Sequence, residues 1–99
     1  MNARSEVVKE ADSLVNGDRN VDYGDPIQDF ATTAEFWETY LLRIIERRKG
    51  LVLKPHDVAV MMQLLKISRT TWSPEKKDHW VDNIGYAACG WDCVTRQDL

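Results

Sequence analysis

Apolar residues recur every three or four positions along most of the chain, which predicts amphipathic helices and no strand. Each proline stands where a helix could begin, because the first helical position does not need the N–H that proline lacks. Two prolines follow Asp25 and Ser73, which are favourable N-cap residues. The short connectors favour antiparallel neighbours in a compact four-helix bundle. The predicted fold is therefore all-α, with helices at about residues 4–16, 26–49, 55–71 and 74–96.

The second and fourth predicted helices each carry an apolar stripe that we expect to form the core. On the second helix the stripe contains Ile27, Phe30, Ala34, Leu41 and Ile45. On the fourth helix it contains Trp80, Ile84, Ala87, Ala88 and Trp91. The opposite side of the fourth helix carries no formal charge after Asp82 and includes Tyr86, Cys89 and Cys93. We expect another helix or a second subunit to cover this side, because a helix face that meets only water is usually charged.

The length of 99 residues predicts one domain, residues 1–99, in which residues 1–18 form a peripheral N-terminal helix. A chain of this size buries a small core, so we expect a homo-oligomer. The net charge of −3 argues against binding to a nucleic-acid backbone, which requires a basic surface. No apolar run approaches the roughly 20 residues that span a bilayer, and the N-terminus is too polar for a signal peptide. We therefore expect a cytoplasmic protein with no membrane partner.

The segment "AEFWETYL" places Glu35 and Glu38 three residues apart on the second helix. Carboxylates at this spacing project from neighbouring positions and can hold Mg²⁺ when further carboxylates converge on them. The alternative is that both are ordinary solvent-facing residues, since this spacing is common on exposed helix faces.

The segment "DHWVDNIGY" places Asp78, Asp82 and Tyr86 at successive turns of the fourth helix. Carboxylates are hard oxygen ligands, which suit Mg²⁺ or Mn²⁺ better than zinc. Alternatively, Asp78 is a first-turn carboxylate that the helix dipole favours, although this does not explain Asp82.

The segment "MMQLLKISR" places Lys66 and Arg69 three residues apart on the third helix, with Arg69 on its apolar side. A buried guanidinium needs a carboxylate or a phosphate as its partner. These cations could therefore clamp a phosphate chain. Alternatively, Arg69 forms an internal ion pair with Asp82 or Glu38, and the two roles do not exclude each other. His56 and His79 lack partners at metal-binding spacing, and we expect both to face solvent.

The connector "NVDYGDP" contains a tyrosine that turn formation does not require. Asp25 is expected to cap the second helix, Pro26 to begin it and Gly24 to permit the turn. Tyr23 remains unexplained. It could stack on the base of a nucleotide or plug one end of the bundle.

Three segments in this order resemble a family of short phage and prophage proteins without an assigned function: "DYGDP", "DVAVMMQLLKISR" and "DHWVDNIGYAA". The resemblance spans residues 19–90. The chain is also similar to a nucleotide-modification-associated domain with a "DYG", "K-x-x-R" and "D-x-x-x-Y" order. More distantly it resembles the MazG-like all-α nucleoside triphosphate pyrophosphohydrolases.

The MazG-like resemblance implies a Mg²⁺-dependent hydrolase, or a nucleotide-binding relative without activity, in the cytosol of a bacterial host. It would carry the family's first metal-binding motif onto Glu35 and Glu38, and Asp78 and Asp82 are the candidates for the second. In this hypothesis Glu38 and Asp82 are catalytic, and the candidates for nucleotide or phosphate binding are Tyr23, Lys66, Arg69 and Tyr86. The chain departs from the family's E-x-x-D spacing, because His79 stands three residues before Asp82. The alternative function is a non-enzymatic phage protein that inhibits a host protein or sequesters a nucleotide signal. Four tryptophans are many for such a short chain, and tryptophan is enriched at interfaces.

Overall fold

The computed structural model describes residues 2–97, and no strand occurs within that range. Residues 1, 98 and 99 of the predicted 1–99 domain lie outside the described residues. The helices are α1 (Ala3–Val15), α2 (Arg19–Tyr23), α3 (Pro26–Arg48), α4 (Pro55–Thr70) and α5 (Lys77–Arg96). The all-α prediction and its four long helices are confirmed. The short helix α2 lies in the segment predicted to be a connector.

Local capping chemistry explains where α3 and α4 begin. The Asp25 carboxylate accepts a hydrogen bond from the Ile27 N–H at 2.9 Å, and Pro26 follows as the first residue of α3. The Asp57 carboxylate accepts a hydrogen bond from the Lys54 N–H at 2.7 Å, which fixes the first turn of α4. The start of α5 was predicted three residues early. Ser73 does not cap it, because its hydroxyl donates to the Asp22 carbonyl.

The helices form a layer with α4 in the middle, α3 on one side and α5 on the other. Helix α1 extends from this layer, packs chiefly against α2 and buries none of its residues. The radius of gyration is 16.2 Å, whereas a compact chain of this length has about 13 Å. Across the described range, every helix is too short or too polar to cross a bilayer.

The contact between α3 and α4 is a row of polar interactions, which we call the polar seam. Its members are Asp29 with Arg69, Thr33 with Ser68, Trp37 with the Met61 carbonyl, and both Tyr40 and Arg48 with Asp57. These pairs run antiparallel from the start of α3 to its end. The polar seam therefore sets which face of α3 packs inward.

The predicted apolar core of α3 is wrong within a single chain, because the polar seam occupies the inner face. Ile27 is 80% exposed, and Phe30 and Ile45 are also exposed. Ile44, on the inner face, is the buried apolar residue of α3. Leu41, at the edge of both faces, is half-buried.

The apolar stripe of α5 also faces solvent, so its predicted contact with other helices is wrong within one chain. Helix α5 turns its other side towards α4, where a Cβ built on Gly90 would lie only 3.0 Å from the Ala59 Cβ. A side chain at this position would force Ala59 to shift, so glycine favours the close approach of α5 to α4. On the uncharged side, Tyr86 and Cys93 are half-buried, so the predicted cover by another helix is confirmed for these two residues. Cys89 is exposed within one chain, and its cover by a second subunit stays a prediction.

Candidate functional site

A buried carboxylate shared by two arginines lies where α2, α3 and α4 meet. Asp29 is in the first turn of α3, and its side chain is 2% exposed. The guanidinium of Arg19, the first residue of α2, contacts Asp29 Oδ2 at 2.7 Å. Arg69, in the last turn of α4, contacts the same oxygen at 3.4 Å. One carboxylate therefore faces two guanidinium groups, which leaves one positive charge in excess within this triad.

Tyr23 lies between Arg69 and His79. The Arg69 Cζ is 4.2 Å from the centroid of the tyrosine ring, which is within cation–π range. The His79 ring lies 5.8 Å from the Tyr23 ring at an angle of 44°. We call Arg19, Tyr23, Asp29, Arg69 and His79 the Tyr23 centre. Tyr23 thus joins Arg69 of α4 to His79 of α5 through internal contacts, and its predicted stacking on a base stays a prediction.

His79 is 1% exposed, so the prediction that it faces solvent is wrong. Its Nε2 lies 2.9 Å from Ser73 Oγ, which ties the turn before α5 to the imidazole. Burial lowers the pKa of His79, and the positive charges of Lys66 and Arg69 lower it further. The imidazole is therefore held in its neutral form near neutral pH.

The two cations predicted to bind phosphate have separate carboxylate partners. Lys66 Nζ lies 2.8 Å from Asp82 Oδ2, and the Lys66 side chain is 12% exposed. Arg69 was expected to pair with Asp82 or Glu38 if it formed an internal ion pair. That choice of partner is wrong, because Arg69 pairs with Asp29. The expectation that the buried Arg69 guanidinium has a carboxylate or phosphate partner is confirmed, and the partner is a carboxylate.

A polar cleft of about 120 Å³ opens beside the Tyr23 centre. Its lining residues are Tyr23, Gly24, Gln28, Asp29, Thr32, Ser68, Arg69, Thr71 and Trp72. Gly24 has a φ of 80°, and a Cβ at this position would lie 3.1 Å from the Trp72 ring. The glycine of "DYGDP" therefore allows both the turn and the close approach of the indole. Hydroxyl, amide and guanidinium groups together give the cleft the donors that an anionic group requires.

The predicted metal ligands do not converge within one chain. Glu35, Glu38 and Asp78 are exposed, and Asp82 is paired with Lys66. Over residues 2–97, no three His, Cys, Asp or Glu side chains are placed to share a metal ion. Tyr86 lies one turn beyond Asp82, on the side of α5 that faces α4. The carboxylates of a single chain therefore do not fit a Mg²⁺ site by themselves.

A second buried carboxylate, Asp57, lies at the far end of the polar seam. Its two oxygens contact the Arg48 guanidinium at 2.8 and 3.0 Å, and Tyr40 Oη donates to it at 2.7 Å. Burial raises the pKa of Asp57, but the hydrogen bonds from Arg48, Tyr40 and the Lys54 N–H outweigh it and leave the pKa below its usual value. Burial and the Asp57 carboxylate raise the pKa of Tyr40 to about 12. Every polar atom of this carboxylate is bonded within the chain, so its role is structural.

Comparison with known proteins shows relatives in two mycobacteriophages. The chain is 37% identical over 81 residues to the Gene 55 protein of Mycobacterium phage L5, a match that covers 82% of this chain and 47% of the relative. It is 34% identical over 83 residues to the Gene 55 protein of Mycobacterium phage D29, covering 84% of this chain and 50% of the relative. The chain thus spans about half the length of these curated relatives. No solved structure matches it.

A family profile matches the part of the chain that contains the Tyr23 centre, the polar seam and nearly all of α5. The matching profile extends over residues 6–94 and is described as a domain of unknown function. Together with the phage relatives, this match shows that the chain belongs to the family named Domain of unknown function (DUF6378).

Proposed function

We propose that this protein binds the phosphate end of a nucleotide at the Tyr23 centre. The observation that carries the proposal is the triad of Arg19, Asp29 and Arg69, in which two largely buried guanidinium groups share one carboxylate. A buried excess charge is costly unless it is paired, so this site favours an anion. Arg69 contacts Asp29 only at 3.4 to 3.5 Å, and a guanidinium has five donors. The N–H donors of Arg69 that do not contact Asp29 suit a phosphate.

The nucleobase would lie against Trp72 at the rim of the cleft. The Trp72 indole is 54% exposed, and its N–H donates to the Val21 carbonyl at 3.1 Å, which fixes the ring. A fixed aromatic face stacks on a base with little demand on base identity. The cleft of about 120 Å³ is smaller than the 300–1,000 Å³ typical of ligand sites, so it would hold one end of the ligand.

Mg²⁺-dependent hydrolysis of a nucleoside triphosphate is a separate and narrower proposal. Its support is the resemblance to the MazG-like pyrophosphohydrolases, which carries their first metal-binding motif onto Glu35 and Glu38, with Glu38 and Asp82 as the candidate catalytic residues. A chain that binds nucleotides without this chemistry would sequester them. Release of pyrophosphate from any nucleoside triphosphate with Mg²⁺ or Mn²⁺, abolished by Glu38→Gln, would support hydrolysis, and its absence would leave sequestration.

A thermal-shift experiment tests nucleotide binding directly. Ribo- and deoxyribonucleoside triphosphates, nucleosides and inorganic triphosphate are each added with and without Mg²⁺. A ligand at 100 times its Kd stabilises the folded state by about 2.7 kcal/mol, which raises the Tm of a small domain by roughly 10 °C or more. We expect nucleoside triphosphates to raise the Tm and nucleosides to have little effect.

Matched variants locate the binding site in the same experiment. Trp72→Ala should reduce the shift that a nucleoside triphosphate causes. Leu42→Ala is the control, because Leu42 is 55% exposed, like Trp72, but lies on α3 away from the cleft. If no nucleotide shifts the Tm of the wild-type protein, or if both variants lose the shift equally, the proposal fails.

The second candidate function is binding to a host protein without catalysis. Trp80 and Trp91 favour it, since both are largely exposed in a single chain and tryptophan is enriched in binding hot spots. A host protein bound at these residues would exclude every other partner from this face of α5. This function predicts that one host protein co-purifies with the wild-type chain and is lost with Trp91→Glu. The absence of any such protein, together with a nucleotide-induced shift, would reject it.

A further inference from the structure

The single chain exposes far more surface than a folded monomer of its size. Its accessible surface is 7375 Å², whereas a monomeric protein of 11.4 kDa exposes about 5800 Å². The excess is therefore about 1600 Å² per chain. A standard interface buries about 800 Å² of each partner, and obligate homodimers bury more. This surplus of accessible surface is large enough to form an interface with a second copy of the chain.

The exposed apolar surface includes one continuous stripe along α5. Ile84 is 71% exposed, Trp80 54% and Trp91 68%, and the exposed Ala87 and Ala88 lie between Ile84 and Trp91. Residues at these spacings lie on one face of a helix over three turns. None of them is charged. The Trp80 indole N–H donates to the Pro74 carbonyl at 2.9 Å, which holds this ring in a fixed position.

Four of the five positions of the stripe are placed symmetrically along α5. A bulky residue stands at each end, at Trp80 and Trp91, and Ile84 and Ala87 are equally distant from the middle, which falls between positions 85 and 86. In an antiparallel helix pair with a two-fold axis at that point, each Trp80 would face the partner's Trp91. Each Ile84 would face the partner's Ala87. In the middle of the pair a larger residue would thus meet a smaller one, and at each end two indole rings would meet.

We infer that two copies of this chain associate through the stripe Trp80, Ile84, Ala87, Ala88 and Trp91 of α5, packed antiparallel about a two-fold axis near residues 85 and 86. The partner is a second copy, because the surplus area matches an obligate interface and the stripe complements itself. This inference does not rest on the proposed nucleotide binding, and either can fail without the other.

The mass of the protein in solution tests the interface. At micromolar concentration, sedimentation equilibrium should give about 23 kDa for the wild-type protein, twice the 11.4 kDa of one chain. Ile84→Glu should give the mass of one chain while circular dichroism shows unchanged helicity. Val7→Glu is the control, because Val7 is 67% exposed on α1, and it should remain a dimer. If Ile84→Glu loses its helicity, Ala87→Glu replaces it. A monomeric wild-type protein, or a dimer that survives a folded stripe variant, would overturn the inference.

Chemical cross-linking tests the antiparallel order. In a background with Cys89→Ser and Cys93→Ser, the double variant Lys77→Cys and Thr95→Cys keeps all five residues of the stripe, because both positions are exposed beside it on α5. A short bismaleimide should join this variant into a covalent dimer. Lys77→Cys alone should not be joined, since in the antiparallel pair the two copies of position 77 lie about 25 Å apart along the helix axis. Efficient cross-linking of Lys77→Cys alone would indicate parallel pairing and would contradict the proposed geometry.

Discussion

Among single residues, Asp57 has the environment most sensitive to substitution. It is fully buried, and it accepts hydrogen bonds from Arg48, Tyr40 and the backbone of Lys54. Asp57→Asn removes the negative charge and leaves Arg48 without its partner, while keeping the volume. Because Arg48 is about a third exposed, we expect the free energy of unfolding to fall by roughly 2–3 kcal/mol, measured by urea denaturation.

Glu46→Gln is the control for this substitution. Glu46 pairs with Arg43 at 2.6 Å, but both side chains are more than half exposed. An exposed pair contributes less than about 1 kcal/mol. A loss for Asp57→Asn that is also below about 1 kcal/mol would show that the Asp57 cluster contributes little to the stability of the fold.

His79 should make the stability of the protein fall on mild acidification. Burial and the nearby cations lower its pKa below the usual value of 6.5, so below pH 6.5 the unfolded chain binds a proton that the native protein does not. The free energy of unfolding should therefore decrease as the pH falls from 6.5 towards 5. The pKa of Asp57 is also lowered, so this carboxylate stabilises the native protein above about pH 4. That stabilisation is lost only as the pH falls below this value, outside the range in which His79 titrates.

The measurement is the free energy of unfolding at pH 7.5, 6.5, 5.5 and 4.5 for the wild-type protein and His79→Gln. Gln can still hydrogen-bond to Ser73 but does not titrate, so its profile between pH 6.5 and 5 should be flatter. Parallel profiles for the two proteins would assign the acid sensitivity to another group.

Sequence patterns predicted several chemical requirements of single residues but not their partners. The need of Arg69 for a carboxylate was predicted from its place on an apolar face, yet Asp29 was missed because a first-turn aspartate is common on any helix. The burial of His79 was missed because it depends on Ser73, which lies in the turn before α5. The position of Ser73 is fixed by its contact with the distant Asp22 carbonyl. Such contacts depend on where helices cross, which residue spacing along one helix does not determine.

Among the helices, the polar seam determines how α3 and α4 pack. The hydroxyl oxygens of Thr33 and Ser68 lie 2.6 Å apart, and both residues are buried. Thr33→Val keeps the shape of the side chain and removes the hydroxyl, so it should lower the free energy of unfolding by about 1 kcal/mol. A double-mutant cycle with Ser68→Ala should show that the two losses are coupled.

Thr32→Val is the matched control, because the Thr32 hydroxyl bonds only to the Gln28 carbonyl of its own helix. Its effect should add independently to that of Ser68→Ala. Full additivity for Thr33 and Ser68 would mean that the seam contact contributes no coupling energy.

Helix ends were more predictable than helix faces. Capping residues and prolines act locally, so Asp25 with Pro26 marked the start of α3 within one residue. The inner faces of α3 and α5 were predicted from hydrophobicity, which assumes that one chain buries its own apolar stripe. Here polar pairs occupy the inner face of α3, and Gly90 brings another face of α5 against α4. The apolar stripes then remain available for contacts between copies.

For the molecule as a whole, the arrangement is an open layer with a cationic centre at one end. The radius of gyration of 16.2 Å and the exposed stripe of α5 are both expected of one half of an obligate dimer. If folding and association are coupled, the Tm of the wild-type protein should rise with protein concentration. Ile84→Glu should remove this dependence, and a Tm independent of concentration in the wild type would contradict the coupling.

The most direct test of the proposed function is a two-dimensional ¹H–¹⁵N NMR titration of the wild-type protein with a nucleoside triphosphate. Binding at the Tyr23 centre should cause the largest chemical-shift changes at residues 19–24 and 68–72 and at the indole N–H of Trp72, which surround the cleft. Inorganic triphosphate should shift the signals of Arg19 and Arg69 but not the Trp72 indole. Changes confined to the groove lined by Glu35, Arg43 and Arg47, or no changes with any nucleotide, would contradict the assignment of this centre.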